Sequence, residues 1–120
     1  MYPTLKLDWY RLDKGLWPPL AAVEPLEIDG KGVYFIWHGG TNPAPVLIGH
    51  GRIGIALEHW KRDRRIVSYT RFGPLYCTWA RVPKRSRAGV HHYLQFRYRP
   101  PCIQRVGETV EQIVGNGPWD

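Results

Sequence analysis

Gly32-Val33-Tyr34-Phe35-Ile36-Trp37, a loop of Thr41-Asn42-Pro43-Ala44-Pro45, and then Val46-Leu47-Ile48-Gly49 form the stretch whose reading decides the fold. The first run is β-branched and aromatic, with Asp29-Gly30 before it and His38-Gly39-Gly40 after it, which predicts a strand over Gly32–Trp37. The prolines of the loop lack the N–H that a ladder needs, so the strand cannot run through them. Val46–Ile48 then reads as a second strand, stopped by Gly49-His50-Gly51. Two adjacent strands with so short a connection form a hairpin.

Outward from the hairpin, the period changes. Ile53, Ala56, Leu57 and Trp60 recur at i, i+3, i+4 and i+7, one apolar face of a helix over Ile53–Arg62 that Gly51 and its neighbours start. Lys61 and Arg62 suit the negative end of its dipole. Gly54 inside it costs up to ~1 kcal/mol relative to Ala, and marks a close approach of another backbone. Tyr69–Pro74 is a loop, Leu75–Val82 a third strand ended by Pro83, and Pro83–Gly89 a basic turn. Val90, Tyr93 and Leu94 share a face of a second helix over Val90–Tyr98, closed by Pro100-Pro101 because a residue before proline leaves the α region. Cys102–Val106 is extended, and Val110 and Ile113 suggest a short terminal helix over Glu108–Val114.

Before the hairpin, Leu5, Leu7 and Trp9 alternate with polar residues, as in a short strand or extended arm. Leu12–Gly15 is a turn, Leu20–Val23 a single helical turn, and Trp9 and Trp17 are expected to pack on the core. The sum is an α/β (α+β) fold: a small three-stranded, mainly antiparallel sheet flanked by helices. At 120 residues the chain makes one domain, with a core over about 30–105, an arm over 1–29 and a C-terminal segment over 106–120.

Composition narrows the function classes. No apolar run approaches the ~20 residues of a membrane span, and the first residues carry no apolar signal core. Cys77 and Cys102 have no metal-ligand spacing and read as buried, reduced thiols of a cytoplasmic protein. The formal charge of +7 is unevenly placed. Residues 61–105 hold twelve Lys and Arg against one acid, Asp63, while the rest holds five against nine. Such asymmetry points to a polyanionic partner, DNA or RNA. Aromatic residues interleave the basic stretch: Tyr69, Phe72, Tyr76, Trp79, Tyr93 and Tyr98.

Gly32-Val33-Tyr34, then Leu47-Ile48-Gly49, a helix directly after, and Tyr98-Arg99-Pro100-Pro101 further on resemble the GIY-YIG superfamily of nucleases and related domains over roughly residues 32–103. The resemblance implies a central sheet flanked by helices. For active members it implies phosphodiester cleavage assisted by a divalent metal ion, magnesium or manganese, held by a glutamate on the later helix. Two motif tyrosines and an arginine on the first helix then position the nucleophile and stabilise phosphate charge. A transition state with added negative charge calls for a cation and an arginine fork.

Several of those groups are missing here. The first-motif tyrosine is Tyr34, and Gly32 and Gly49 match. Leu47 stands where the second tyrosine would be, and Ile55, Ala56 and Leu57 occupy every register open to the helical arginine, with Arg52 and Arg62 the nearest. Counting back from Tyr98-Arg99-Pro100, the glutamate falls near His91, and no Asp or Glu occurs from Arg64 to Gly107. Ile103 or Gln104 replaces the family's asparagine.

Three readings follow. In the first, the chain binds nucleic acid through Arg52, Arg62, Arg64, Arg65, Lys84, Arg85, Arg87, Arg97 and Arg99, which the resemblance gathers around one face, and cleaves it poorly or not at all, with no cofactor. In the second, it remains an endonuclease whose vestigial or rebuilt site uses Tyr34, His59 and His91, with His91 or His92 as metal ligand. Imidazole replaces carboxylate poorly for magnesium. His91 and His92, being adjacent, diverge by ~100° on a helix, so a metal there needs His50 or His59. In the third, the chain is an accessory domain whose basic stretch meets an acidic protein.

Overall fold

The computed structural model describes residues 3–107 and 110–120. Its strands and helices, in chain order, are β1 (Thr4–Leu5), β2 (Lys31–His38), β3 (Ala44–Arg52), α1 (Ile53–Arg62), α2 (Arg64–Val67), β4 (Leu75–Arg81), α3 (Lys84–Tyr98), β5 (Cys102–Ile103) and β6 (Val114–Gly115), with single 3-10 turns at Asp13–Gly15, Leu20–Ala22, Pro25–Glu27 and Ser68–Arg71. The class is α/β, as expected.

β2 and β3 form the hairpin, antiparallel, with Tyr34 opposite Gly49 and an irregularity between Ile36 and Trp37. β4 pairs antiparallel along the other edge of β2. The sheet is four-stranded and mixed rather than three-stranded, in the order β4-β2-β3-β5. β5 adds the fourth strand by running parallel to β3 through Leu47 and Ile48. The two prolines force the chain out of α3 here. Arg99 caps the helix in the left-handed region at φ 46°, and the chain turns back along the open edge of β3. β1 and β6 make a separate parallel pair.

Three further expectations are corrected. β3 outruns the expected Val46–Ile48 at both ends, passing through Pro45, which sits opposite Trp37 beside the register irregularity, and continuing through Gly49 to Arg52. α3 begins at Lys84, so the expected basic turn is its first turns. Gly89 is accommodated inside the helix because the C-terminal segment runs against it, the Ile113 N–H donating to the Gly89 carbonyl at 3.1 Å. For the expected terminal helix over Glu108–Val114, Glu108 and Thr109 lie outside the described residues, 110–113 have no regular structure, and Val114 enters β6. The Val114 N–H donates to the Pro3 carbonyl at 2.9 Å. Long-range backbone bonds thus take the donors that a helix would have used.

Alternation along β2 divides the interior into two cores, one on each face of the sheet. Tyr34 and Ile36 join Leu47, Leu57, Ile66 and Cys77 on the α1 side. Val33, Phe35 and Trp37 join Ile48, Val90 and Leu94 on the α3 side, where Trp9 and Trp17 also pack. Gly54 fulfils its expected role: a Cβ there would stand 2.4 Å from the Pro25 carbonyl oxygen. Cys77 and Cys102 are buried and free. Among the described residues no helix is long and apolar enough to cross a membrane.

Candidate functional site

Tyr34 points into the α1-side core and is fully buried. Its hydroxyl accepts a hydrogen bond from Trp60 Nε1 at 2.9 Å and donates one to Gln104 Oε1. Gly49, opposite Tyr34 in the ladder, makes this possible, because a Cβ there would fall 2.3 Å from the hydroxyl and closer still to Gln104. Burial pushes the Tyr34 pKa up to about 12, against a smaller opposing effect of the Trp60 N–H. The phenol is therefore neutral and internally satisfied, a poor base or nucleophile at ordinary pH.

His91 lies between β3 and α3. It is fully buried. Its Nδ1 stands 2.7 Å from Nδ1 of His50, and its Nε2 is 3.1 Å from Gln95 Oε1. With Nε2 donating to the Gln95 carbonyl oxygen, Nδ1 of His91 has only a lone pair to offer, so His50 donates its Nδ1–H. Burial lowers the His91 pKa to about 4, and the neighbouring His50 adds to that. The His91 ring is thus held neutral and bonded to His50.

The expected catalytic residues do not come together. Tyr34 belongs to one face of the sheet and the His50–His91 pair to the β3–α3 side. His59 is exposed, its ring edge-on to Trp60 at 4.6 Å. His92 turns away from His91, with Nδ1 3.2 Å from the Val110 carbonyl. Among the described residues, no three His, Cys, Asp or Glu side chains cluster as a metal site would need. A magnesium ion takes oxygen donors, and what stands at the expected glutamate is an imidazole already bonded on both nitrogens. These residues do not fit the ion.

The basic residues group toward the two ends of α3. Lys84, Arg85 and Arg87 open α3, and Arg97 and Arg99 close it, about 22 Å away at 1.5 Å per residue. Arg52 ends β3 opposite Lys31, and Arg81 ends β4 opposite Gly32, so both lie at the end of the sheet from which α3 departs. At the other end of α3, Arg65 donates to the Pro101 carbonyl at 3.3 Å, which brings α2, with Arg64, beside Arg99. Asp63 caps α2, accepting from the Arg65 and Ile66 N–H groups. Among the described residues the ion pairs are Arg62–Glu58 and Arg97–Asp120. Arg87 is half-buried and donates to the Val82 carbonyl. Arg52, Arg64, Arg65, Lys84, Arg85 and Arg99 are exposed.

Sequence reasoning missed the bonds of Trp60 and Gln104 to Tyr34 and the pairing of His50 with His91. Trp60 read as helix stripe, and Gln104 as one of two stand-ins for an asparagine. The signal for His50 was strand alternation: Ile48 faces the α3-side core, so His50 does too. A cavity of about 690 Å³ lies elsewhere, between the N-terminal arm and β4, lined in part by Asp8, Tyr10, Glu24, Glu27, Trp79 and Arg81. Comparison with protein-family models, with curated proteins and with solved structures finds no match to this chain.

Proposed function

We propose that this chain is a GIY-YIG-related domain of the cytoplasm that binds nucleic acid and does not cleave it. The observation that carries the reading is His91. Where the resemblance calls for a metal-holding carboxylate, the chain has a fully buried imidazole bonded to His50 and Gln95. Tyr34, the one motif tyrosine present, is likewise spent on internal bonds. Binding rests on exposed cations outside the two ion pairs, Arg64 and Arg65 above all, at the start of a stretch that has no Asp or Glu from Arg64 to Gly107 and in which the nearest acid, Asp63, is engaged as the cap of α2.

Purified protein is incubated with plasmid and with structured RNA under magnesium and under manganese, and binding is measured against salt. No cleavage is expected with either metal. Affinity should fall on the order of a hundredfold from about 50 to about 200 mM salt if about four phosphates are contacted. Arg64→Glu with Arg65→Glu should weaken binding to all sequences alike. Magnesium-dependent nicking that disappears in Tyr34→Phe would establish the endonuclease reading instead. Manganese-dependent nicking lost in His91→Ala would establish the histidine-rebuilt site. Salt-insensitive or absent binding would leave an acidic protein as the partner.

A further inference from the structure

Phe72 is a large apolar side chain left 49% exposed at the end of the 3-10 turn Ser68–Arg71. A single exposed Phe is ordinary. What surrounds this one is not. The His38 ring lies 5.2 Å from the Phe72 ring, inclined at 31°, and the Tyr69 ring 5.9 Å away at 39°. The Arg71 guanidinium stands 4.8 Å from the centre of the Phe72 ring and 5.7 Å from that of Tyr69. Three rings and a planar cation therefore meet at the surface.

The backbone beneath them is tied down. The Phe72 N–H donates to the Tyr69 carbonyl at 3.0 Å and the Gly73 N–H to the Thr70 carbonyl at 3.1 Å. The Gly39 N–H donates to the Pro74 carbonyl at 2.8 Å, which pins the segment to the end of β2 that carries His38. Arg64 and Arg65 lie on α2, which runs directly into this turn. Flat rings on a fixed backbone, flanked by cations, are what an unpaired base and its phosphates require: the base stacks, and the backbone charge meets guanidinium groups. A duplex offers only its phosphates to such a surface, because its bases are stacked on one another.

We infer that Phe72, with Tyr69, His38 and Arg71, is a stacking site for an unpaired nucleobase, and that the ligand of this chain is single-stranded nucleic acid. The inference rests on the nucleic-acid reading above and specifies its substrate. Arg71 reinforces the ring surface, and Arg64 and Arg65 hold the adjoining phosphates. The base is held by stacking, which every base can offer, so the preference is for unpaired structure over sequence.

The test measures fluorescence anisotropy of labelled oligonucleotides of about 12 nucleotides, within the span such sites cover. The probes are single-stranded DNA, single-stranded RNA, the matching duplex and a single strand with abasic sites. Single strands should bind more tightly than duplex, and abasic sites should remove the difference. Phe72→Ala should weaken single-strand binding about 5- to 150-fold, the span of one base–aromatic stack, and leave duplex binding unchanged. Phe72→Trp should keep or raise single-strand affinity, which separates stacking from damage to the fold, and Leu26→Ala, an exposed apolar loss elsewhere, should change neither. DNA and RNA arms of equal strength indicate that the 2′-hydroxyl goes unread, and unequal arms that it is read; both fit the inference. Equal loss of single-strand and duplex binding in Phe72→Ala, no loss of either, or a preference for duplex overturns it. If duplex binding also responds to Arg64→Glu with Arg65→Glu, the nucleic-acid reading survives that failure. If the wild-type chain binds no probe, both fall.

Discussion

The two faces of the sheet bury polar groups of opposite acid–base character. On the α1 side the group is an acid, the Tyr34 phenol, with the Cys77 thiol in the same core; burial pushes each up to about 12. On the β3–α3 side it is a base, the His91 imidazole, pushed down to about 4. In each case burial favours the uncharged form, and a side-chain amide, Gln104 or Gln95, takes up one hydrogen bond. The contrast teaches how burial treats the two residues in which a site was expected. A working phosphodiesterase centre keeps charges that can be used, whereas both candidates here are neutral and enclosed. The sheet itself stands between them.

If the faces are energetic equals, truncating either should be equally harmful, and this is the largest effect expected. Leu57 lies in the α1-side core and Leu94 in the α3-side core, and both are completely buried. Leu57→Ala and Leu94→Ala should each destabilise by about 2–5 kcal/mol in urea unfolding. A value well below that range for one of them would show that face to be the looser, and would break the comparison.

Next in size is pH dependence, and the two faces should fail in opposite directions. The His91 pKa is about 4 folded against 6.5 unfolded. The unfolded chain therefore binds the extra proton between those values, and stability falls as pH drops from 6.5 to 4, by roughly 3 kcal/mol in all. The titratable neighbours whose charge acts on the ring are His50, bonded to it from β3, and to a lesser extent His92 on α3, and both disfavour its protonation. The Tyr34 pKa is about 12 folded against 10 unfolded. The unfolded chain loses its proton first, and stability falls as pH rises from 10 to 12, again by roughly 3 kcal/mol. Cys77 adds a loss that begins near 9. His91→Leu should flatten the acid limb alone, and Tyr34→Phe should shrink the alkaline limb alone. If either variant moved the wrong limb, the assignment of charge states to faces would be reversed.

How much of this was legible follows from where each signal resides. The β2 run, the α1 stripe and β4 carry their periods locally, in consecutive residues, and the structure holds them nearly where expected. β5 and β6 are two residues each and carry no local period; they exist because β3 and β1 offer edges. The first turns of α3 were hidden by their charge and by Gly89, whose tolerance depends on a segment more than twenty residues later. The candidate site divides in the same way. Tyr34 and His91 were found by their positions in short motifs. Their partners are contributed across separations of 26 residues for Trp60, 70 for Gln104 and 41 between His50 and His91. No window of sequence contains such a pair, so motif reading located the groups and missed the bonds that neutralise them. The basic residues show the same limit: their number and their places before and after the second helix were legible, and the bond from Arg65 to the Pro101 carbonyl, 36 residues on, was not.

The smallest expected effect is also the sharpest test of the mirror relation between the faces. Trp60 is half-buried, so its removal by Ala would mix lost packing with a lost bond. Trp60→Phe keeps an aromatic ring against His59 and removes the indole N–H that donates to the Tyr34 hydroxyl. One neutral hydrogen bond is lost, which should lower stability by about 0.5–1.5 kcal/mol. That N–H stabilises the phenolate over the phenol, so its loss should raise the Tyr34 pKa further. The matched change on the other side is Gln95→Leu. The Gln95 oxygen accepts from His91 Nε2 and favours the protonated ring, so its loss should lower the His91 pKa further. Each variant thus drives its own face deeper into the neutral state, one upward and one downward. NMR titration of ring-labelled tyrosine and histidine reads both shifts directly. A Tyr34 that titrates earlier in Trp60→Phe, or a His91 that titrates higher in Gln95→Leu, would mean that burial is not the dominant influence on that group. The face concerned would then have kept a charge available for chemistry.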